Sequence, residues 1–242
     1  SDGMFKSMKC TPIFPFITAV ETLEFDGIPI VCLKCHFDPI YYSDTLAVKL
    51  LGRNLYKKVS GSVHNRKAEF LAGRVLAISI LKQLEHTNTI VDIGNQRAPV
   101  WPESVKGSIS HADQVAVCAI CRDSLYKRIG IDIEPLNTEV SESLKQSIIS
   151  PSEINLLNKC GFVKSTAFSL AFSAKESLFK AIFPEVNYYF DFDSATLTHI
   201  NTSEKTFKIS LNVDLNETFK KGMKFYGKYI LTGGYILTLI VD

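Results

Sequence analysis

Arg128-Ile-Gly-Ile-Asp-Ile-Glu-Pro135 is the stretch from which both the fold and the chemistry are read outward. Ile129, Ile131 and Ile133 alternate with Gly130, Asp132 and Glu134, the period of a strand with one apolar face. Residues two apart on a strand point the same way, so Asp132 and Glu134 share a face, with Gly130 clearing space beside them. Two carboxylates that close repel unless a cation lies between them or one takes a proton. Hard oxygen ligands with room beside them suit Mg²⁺, which keeps waters and often bridges to a substrate phosphate. An exposed strand face with two solvated acids fits the same residues, and this stretch alone leaves both readings open.

The surrounding chain has 242 residues, enough for one large domain or two small ones with a real core. Its composition, 46% hydrophobic and 21% charged, is that of a globular protein. A net charge of +2, from 27 basic and 25 acidic residues, argues against bulk nucleic-acid binding or polybasic membrane attachment. Any anion site must be a local cluster. No apolar run reaches membrane-spanning length and no signal peptide is evident, so a cytoplasmic chain without a membrane span is expected. Ser1-Asp2-Gly3, ahead of Met4, read as an added remnant and are left out of the fold reasoning. Two C-x-x-C pairs, Cys32–Cys35 (followed by His36) and Cys118–Cys121, mimic haem or zinc motifs. Both lie in strand-like runs, where positions three apart face opposite sides, so they are expected to be small buried hydrophobes that hold neither metal nor haem.

Upstream of the acids, after Pro12 and Pro15, two apolar runs, 16–25 and 28–37, flank Asp26-Gly27 and predict a β-hairpin. Residues 43–58 have helical spacing and a basic tail ending in Lys57 and Lys58. Asn65 is the expected cap of a long helix over 66–84, whose Phe70, Leu71, Val75, Ile78 and Leu81 make one broad apolar face. Gly73 in mid-helix predicts the close approach of another backbone or a ligand. Arg66 and Arg74, eight residues apart, project to nearly the same side. Residues 91–107, with two prolines and Trp101, read as an ordered loop. Gly107-Ser-Ile-Ser-His111 and the strand 114–121 follow. A hairpin through 122–127 is expected to lead into the acid strand, placing His111 at the start of a strand antiparallel to it.

Downstream, Ser150-Pro-Ser-Glu153 is a capping box, and Gly161 ends that short helix. A second long helix is expected over 166–183, stopped by Pro184, with Glu176 and Lys180 as an i,i+4 pair on an otherwise apolar and therefore internal helix. Residues 188–242 read as antiparallel strands with Gly233-Gly234 as the last hairpin turn. The order predicts an α+β fold of two similar halves, 1–122 and 123–242. Each half is a small antiparallel sheet with one long helix, and the two act as one functional unit.

Three of these stretches, Gly107–His111, Ile129–Glu134 and Phe172-Ser-Ala-Lys-Glu-Ser-Leu-Phe-Lys-Ala181, occur in fixed order. Together with Arg66-Lys-Ala-Glu-Phe-Leu-Ala-Gly-Arg74 and Arg97-Ala-Pro-Val-Trp-Pro102, the chain resembles the Sfp-type 4′-phosphopantetheinyl transferases. It looks most like the enterobactin-synthase branch, which serves siderophore synthesis. The resemblance covers residues 60–185. It implies a pseudo-twofold monomer that binds coenzyme A and Mg²⁺ between its halves. It also implies transfer of the phosphopantetheine arm to a serine of an apo carrier protein, with release of adenosine 3′,5′-bisphosphate. Arg66, Arg74, Arg97, Ser110 and His111 are then coenzyme-binding. Asp132, Glu134 and Glu176 are the acidic metal positions, with Glu134 the one that some relatives do not use directly. Glu176 is the candidate base, and Lys180 neutralises or protonates the leaving oxygen. The lysine that relatives carry before the loop proline is Ala98 here, and Arg97 supplies that charge instead. A hydrolase of the coenzyme's diphosphate and a non-catalytic carrier-binding relative remain the alternative readings.

Overall fold

The computed structural model describes residues 13–136 and 139–242; the readings of Ser1-Asp2-Gly3 and Pro12 lie outside the described residues. The chain divides into two compact units, Ser1–Leu125 and Tyr126–Asp242. In the first unit, β1 (Ile17–Leu23) and β2 (Val31–Phe37) pair as the expected hairpin, with Gly27 at a φ of 76° in the turn. The single helix expected over 43–58 is two. Ser43 caps α1 (Asp44–Leu51), accepting from the Leu46 amide, and Gly52, at φ 83°, ends it and starts α2 (Arg53–Val59).

α3 (His64–Gln83) begins before Asn65, because Val63 is the last residue with extended backbone and no side chain caps the helix. The ordered loop folds on itself as a short ribbon of β3 (Asp92–Ile93) and β4 (Pro99–Val100). β5 (Val105–Ala112) and β6 (Val115–Arg122) then form a hairpin. The antiparallel sheet runs β1-β2-β6-β5 and is packed by α3, whose Leu71, Leu76 and Ile80 join Leu33, Cys118 and Ile120 in one core. Cys32, Cys35, Cys118 and Cys121 are all buried in β2 and β6. Burial pushes the Cys35 thiol up to about 12 and that of Cys121 up to about 11, so both stay protonated as small apolar groups.

The expected hairpin between residues 114–121 and the acid strand does not form. β6 pairs with β2 and β5, whereas β7 (Ile129–Pro135) pairs along its whole length with β11 (Tyr235–Val241). The chain has already joined the second sheet at Lys127 and Arg128, whose amides donate to the Asp242 carbonyl at 2.8 and 3.2 Å. His111 accordingly sits near the end of β5, not at the start of a strand facing the acids.

After β7 come α4 (Glu142–Ile148), α5 (Pro151–Lys159) and α6 (Lys164–Val186), then β8 (Ala195–Asn201), β9 (Thr206–Leu211) and β10 (Lys224–Thr232). The second sheet is β7-β11-β10-β9-β8 and antiparallel throughout. Ser150 and Glu153 make the expected capping box on α5. Pro184 does not stop α6. It lies in the last turn, and the helix runs on to a left-handed cap at Asn187.

Both units therefore share one plan: an antiparallel sheet with a long helix, in which the strand entering the helices pairs with the last strand of the unit. The fold is α+β. Among the described residues no helix is long and apolar enough to cross a membrane.

Candidate active site

The strand reading of Ile129–Glu134 places Asp132 and Glu134 on one face, and in the second unit that face meets α6. Ile131 and Ile133, on the opposite face, are fully buried. Gly130 does not open room for a ligand, as the sequence suggested. A Cβ there would meet the Ser177 carbonyl oxygen and lie 2.7 Å from the Ala181 amide, so the backbone of α6 occupies the space. That approach brings the flanking side chains of α6, Glu176 and Lys180, toward Asp132. Two hydroxyls fix the height of the helix on the strands. Ser169 donates to the Pro135 carbonyl at 2.8 Å, and Ser173 bonds Thr238, the β11 residue directly opposite Asp132, at 2.8 Å.

Asp132 is 2% exposed, and the Lys180 ammonium stands 3.4 Å from its Oδ1. The i,i+4 spacing had paired Lys180 with Glu176, but the ammonium reaches across to the strand instead. Burial, the Asp132 charge, a hydrogen bond with Asp132 and the Glu176 charge together push the Glu134 carboxyl up to about 10, with Lys180 opposing. At neutral pH the pair of neighbouring carboxyls therefore retains a proton. Burial and then the Asp132 charge push Glu176 up to about 7, again opposed by Lys180. Three acids around one lysine carry too much negative charge for a dry site, and the site relieves it by protonation. Among the described residues no three His, Cys, Asp or Glu groups form a ready-made metal cage. The donor set still fits Mg²⁺, which takes one or two carboxylates plus substrate phosphates and waters in preference to an all-protein cage.

The basic candidates lie in the first unit. Arg66 is exposed in the first turns of α3. Arg97 is exposed in the β3–β4 ribbon, where its Nη2 lies 3.3 Å from the Ser62 hydroxyl. Lys58 reaches the same ribbon through Asp92 at 2.7 Å. Arg74 is not beside Arg66 on the surface. It is buried, stacks on Phe70, and donates from Nε to the Val91 carbonyl at 3.0 Å and from Nη2 to the Asp92 carbonyl at 3.1 Å. Its guanidinium thus holds the root of the ribbon that carries Arg97, and burial lowers its pKa to about 10 without discharging it at neutral pH. Ser110 is buried on β5, and His111 is exposed beside Glu69 of α3. The close approach at Gly73 is made by a side chain, not by backbone: Ile109 enters there, its Cγ2 lying 2.6 Å from where a Cβ would stand.

Sequence reasoning missed one buried pair. Lys175, next to Glu176, donates to Glu153 at 2.9 Å and to the Ile148 carbonyl at 2.6 Å. Glu153 also accepts from the amides of Ser150 and Leu197 at 2.9 and 2.8 Å, and it is fully buried. The capping box was legible, but it accounts for one carboxylate oxygen only. A lysine inside an otherwise apolar helix face was the signal for the rest.

Two family models match in series: the 4′-phosphopantetheinyl transferase N-terminal domain over residues 55–121 and the 4′-phosphopantetheinyl transferase superfamily over residues 128–240. Enterobactin synthase component D of Escherichia coli (strain K12) is 39% identical over 146 residues, covering 60% of this chain and 67% of that protein. The 4′-phosphopantetheinyl transferase Npt of Nocardia iowensis is 28% identical over 190 residues, 75% of this chain and 85% of Npt. Svp of Streptomyces mobaraensis, of the same description, is 33% identical over 141 residues, 57% of each chain. The chain belongs to the 4′-phosphopantetheinyl transferase superfamily and is an enzyme of that class.

Proposed function

We propose that this chain moves the 4′-phosphopantetheine arm of coenzyme A onto a serine hydroxyl of an apo carrier protein, in the cytoplasm, as a monomer and with Mg²⁺. The carrier is a domain of a siderophore-type peptide synthetase, a reading supported by the similarity to enterobactin synthase component D. The observation that carries the chemistry is the crowding of Asp132, Glu134 and Glu176 around Lys180 on the β7–α6 face. Asp132 and Glu176, with Glu134, would hold Mg²⁺, which when bound polarises the attacked phosphorus and neutralises charge on the departing bisphosphate.

The remaining steps belong to the chain's own groups. Glu176, pushed up to about 7, is poised near neutral pH to take the proton of the serine hydroxyl as its oxygen attacks the phosphorus. The bond from phosphorus to the bisphosphate oxygen breaks, and the Lys180 ammonium is the cation available to stabilise that oxygen. Arg66 and Arg97, with Ser110 and His111, bind the phosphates of the coenzyme, since guanidinium forks match phosphate oxygens. Arg74 serves them from behind by holding the ribbon of Arg97.

Incubation with coenzyme A, Mg²⁺ and an apo carrier domain, followed by mass spectrometry of the carrier, tests the reading. A mass gain of one phosphopantetheine arm is expected, with transfer abolished in Asp132→Ala while the circular dichroism spectrum is kept. Bisphosphate release without any change in carrier mass would make the protein a hydrolase and overturn the proposal. So would near-normal transfer by Asp132→Ala at saturating Mg²⁺.

A further inference from the structure

A carboxylate is an unexpected neighbour for a phosphate-binding histidine, yet Glu69 Oε2 stands 3.6 Å from His111 Nε2. The geometry of the first unit makes this contact a consequence of its packing. Glu69 and Gly73 are four residues apart on α3, a rise of about 6 Å. His111 and Ile109 are two residues apart on β5, a rise of about 6.8 Å. The two elements therefore meet in step, Ile109 at Gly73 and His111 at Glu69. The missing side chain at Gly73 sets the helix–strand distance, and Glu69 uses that distance to reach the imidazole. An acid beside a phosphate site would repel the ligand if it faced it alone. Set against the imidazole, it can instead orient the ring.

We infer that Glu69 is a positioning residue for coenzyme A binding: it acts on the ligand only through His111. The inference rests on the coenzyme-binding role proposed above for His111. Both side chains keep part of their surface in water, so the coupling is of surface-pair size, and losing it weakens binding by a factor of about 2–5.

The test is a double-mutant cycle on the full chain, reading kcat and KM for coenzyme A in the carrier assay. His111→Ala should raise KM by about 10-fold or more. Glu69→Ala should raise it about 2–5-fold with kcat nearly unchanged. Glu69→Gln, which keeps an oxygen acceptor, should restore most of the loss. Glu69→Ala on the His111→Ala background should add nothing. Thermal midpoints of all variants should stay close to that of the parent, which separates positioning from folding. A raised KM in His111→Ala beside a normal one in Glu69→Ala overturns the positioning role alone, as do additive effects in the double variant. A normal KM in His111→Ala overturns the coenzyme role of the histidine and leaves Glu69 nothing to act through.

Discussion

The two long helices are held to their sheets by opposite devices. In the first unit the glycine is on the helix: Gly73 of α3 admits a strand side chain, Ile109. In the second it is on the strand: Gly130 of β7 admits the helix backbone itself, at Ser177 and Ala181. A helix that touches a strand backbone to backbone carries its charged side chains into the interior. α6 accordingly has Glu176 and Lys180 half-buried beside the strand, and Lys175 is enclosed on another side by α4 and α5, whereas Arg66 of α3 stays in water and its buried Arg74 turns to loop carbonyls. Close approach thus raises the pKa of the neighbouring acids, while the looser crossing leaves Arg66 in water.

The largest expected effect is at the enclosed pair. Glu153→Ala strands the Lys175 ammonium and two amides, so unfolding in urea should show a loss of about 3–5 kcal/mol. Its counterpart in the first unit, the Lys67–Asp44 pair with its half-exposed carboxylate, should lose several-fold less when Lys67 is replaced by alanine. Equal losses in the two variants would erase the contrast between the units.

Next come the glycines. Gly130→Ala pushes a methyl into helix backbone that cannot rotate away, and a loss of about 3 kcal/mol is expected, with transfer falling as Glu176 and Lys180 move off Asp132. Gly73→Ala meets only a side-chain methyl, and alanine regains about 1 kcal/mol of helix propensity, so a loss below about 2 kcal/mol is expected. A Gly73→Ala loss larger than that of Gly130→Ala would reverse the assignment.

A pH dependence also differs between the units. In the second unit the folded state raises the carboxyl pKa of Glu134 and Glu176, so it binds protons that the unfolded chain has released. Stability from these groups therefore falls as pH rises from about 4.5, through about 7 for Glu176 and toward about 10 for Glu134. In the first unit Asp44, bonded to Lys67, and Asp92, bonded to Lys58, are held below the ordinary carboxylate range, so their contribution is lost as pH falls. Thermal midpoints between pH 4 and 10 should show a decline on the alkaline side that Glu134→Gln flattens. Millimolar Mg²⁺ should flatten it as well, by neutralising the ionised acids. An alkaline decline that neither changes would assign it to other groups.

Local rules made much of this legible in advance. The alternation of Ile129–Glu134 placed the two acids on one face, Asp26-Gly27 and Gly233-Gly234 gave their hairpins, and Ser150-Pro151-Ser152-Glu153 gave its capping box. The motif stretches gave the family, because residue types at fixed spacing are a property of the chain itself. Local rules misplaced the break at Gly52, the start of α3 and the end of α6 beyond Pro184, and the remaining failures depend on which partner a group finds across space. The pairing of β7 with β11 in place of β6 joins residues a hundred or more positions apart, and no short-range pattern encodes it. The same holds for Lys180 choosing Asp132 over Glu176, for Arg74 turning inward to the ribbon, for Gly130 making room for helix and not ligand, and for Lys175 finding Glu153. The sequence by itself determined the elements, their faces and the kind of chemistry they could host. Only the tertiary structure decided which charges meet and which acids keep their protons, because burial and neighbouring charge act through distances that the chain order does not contain.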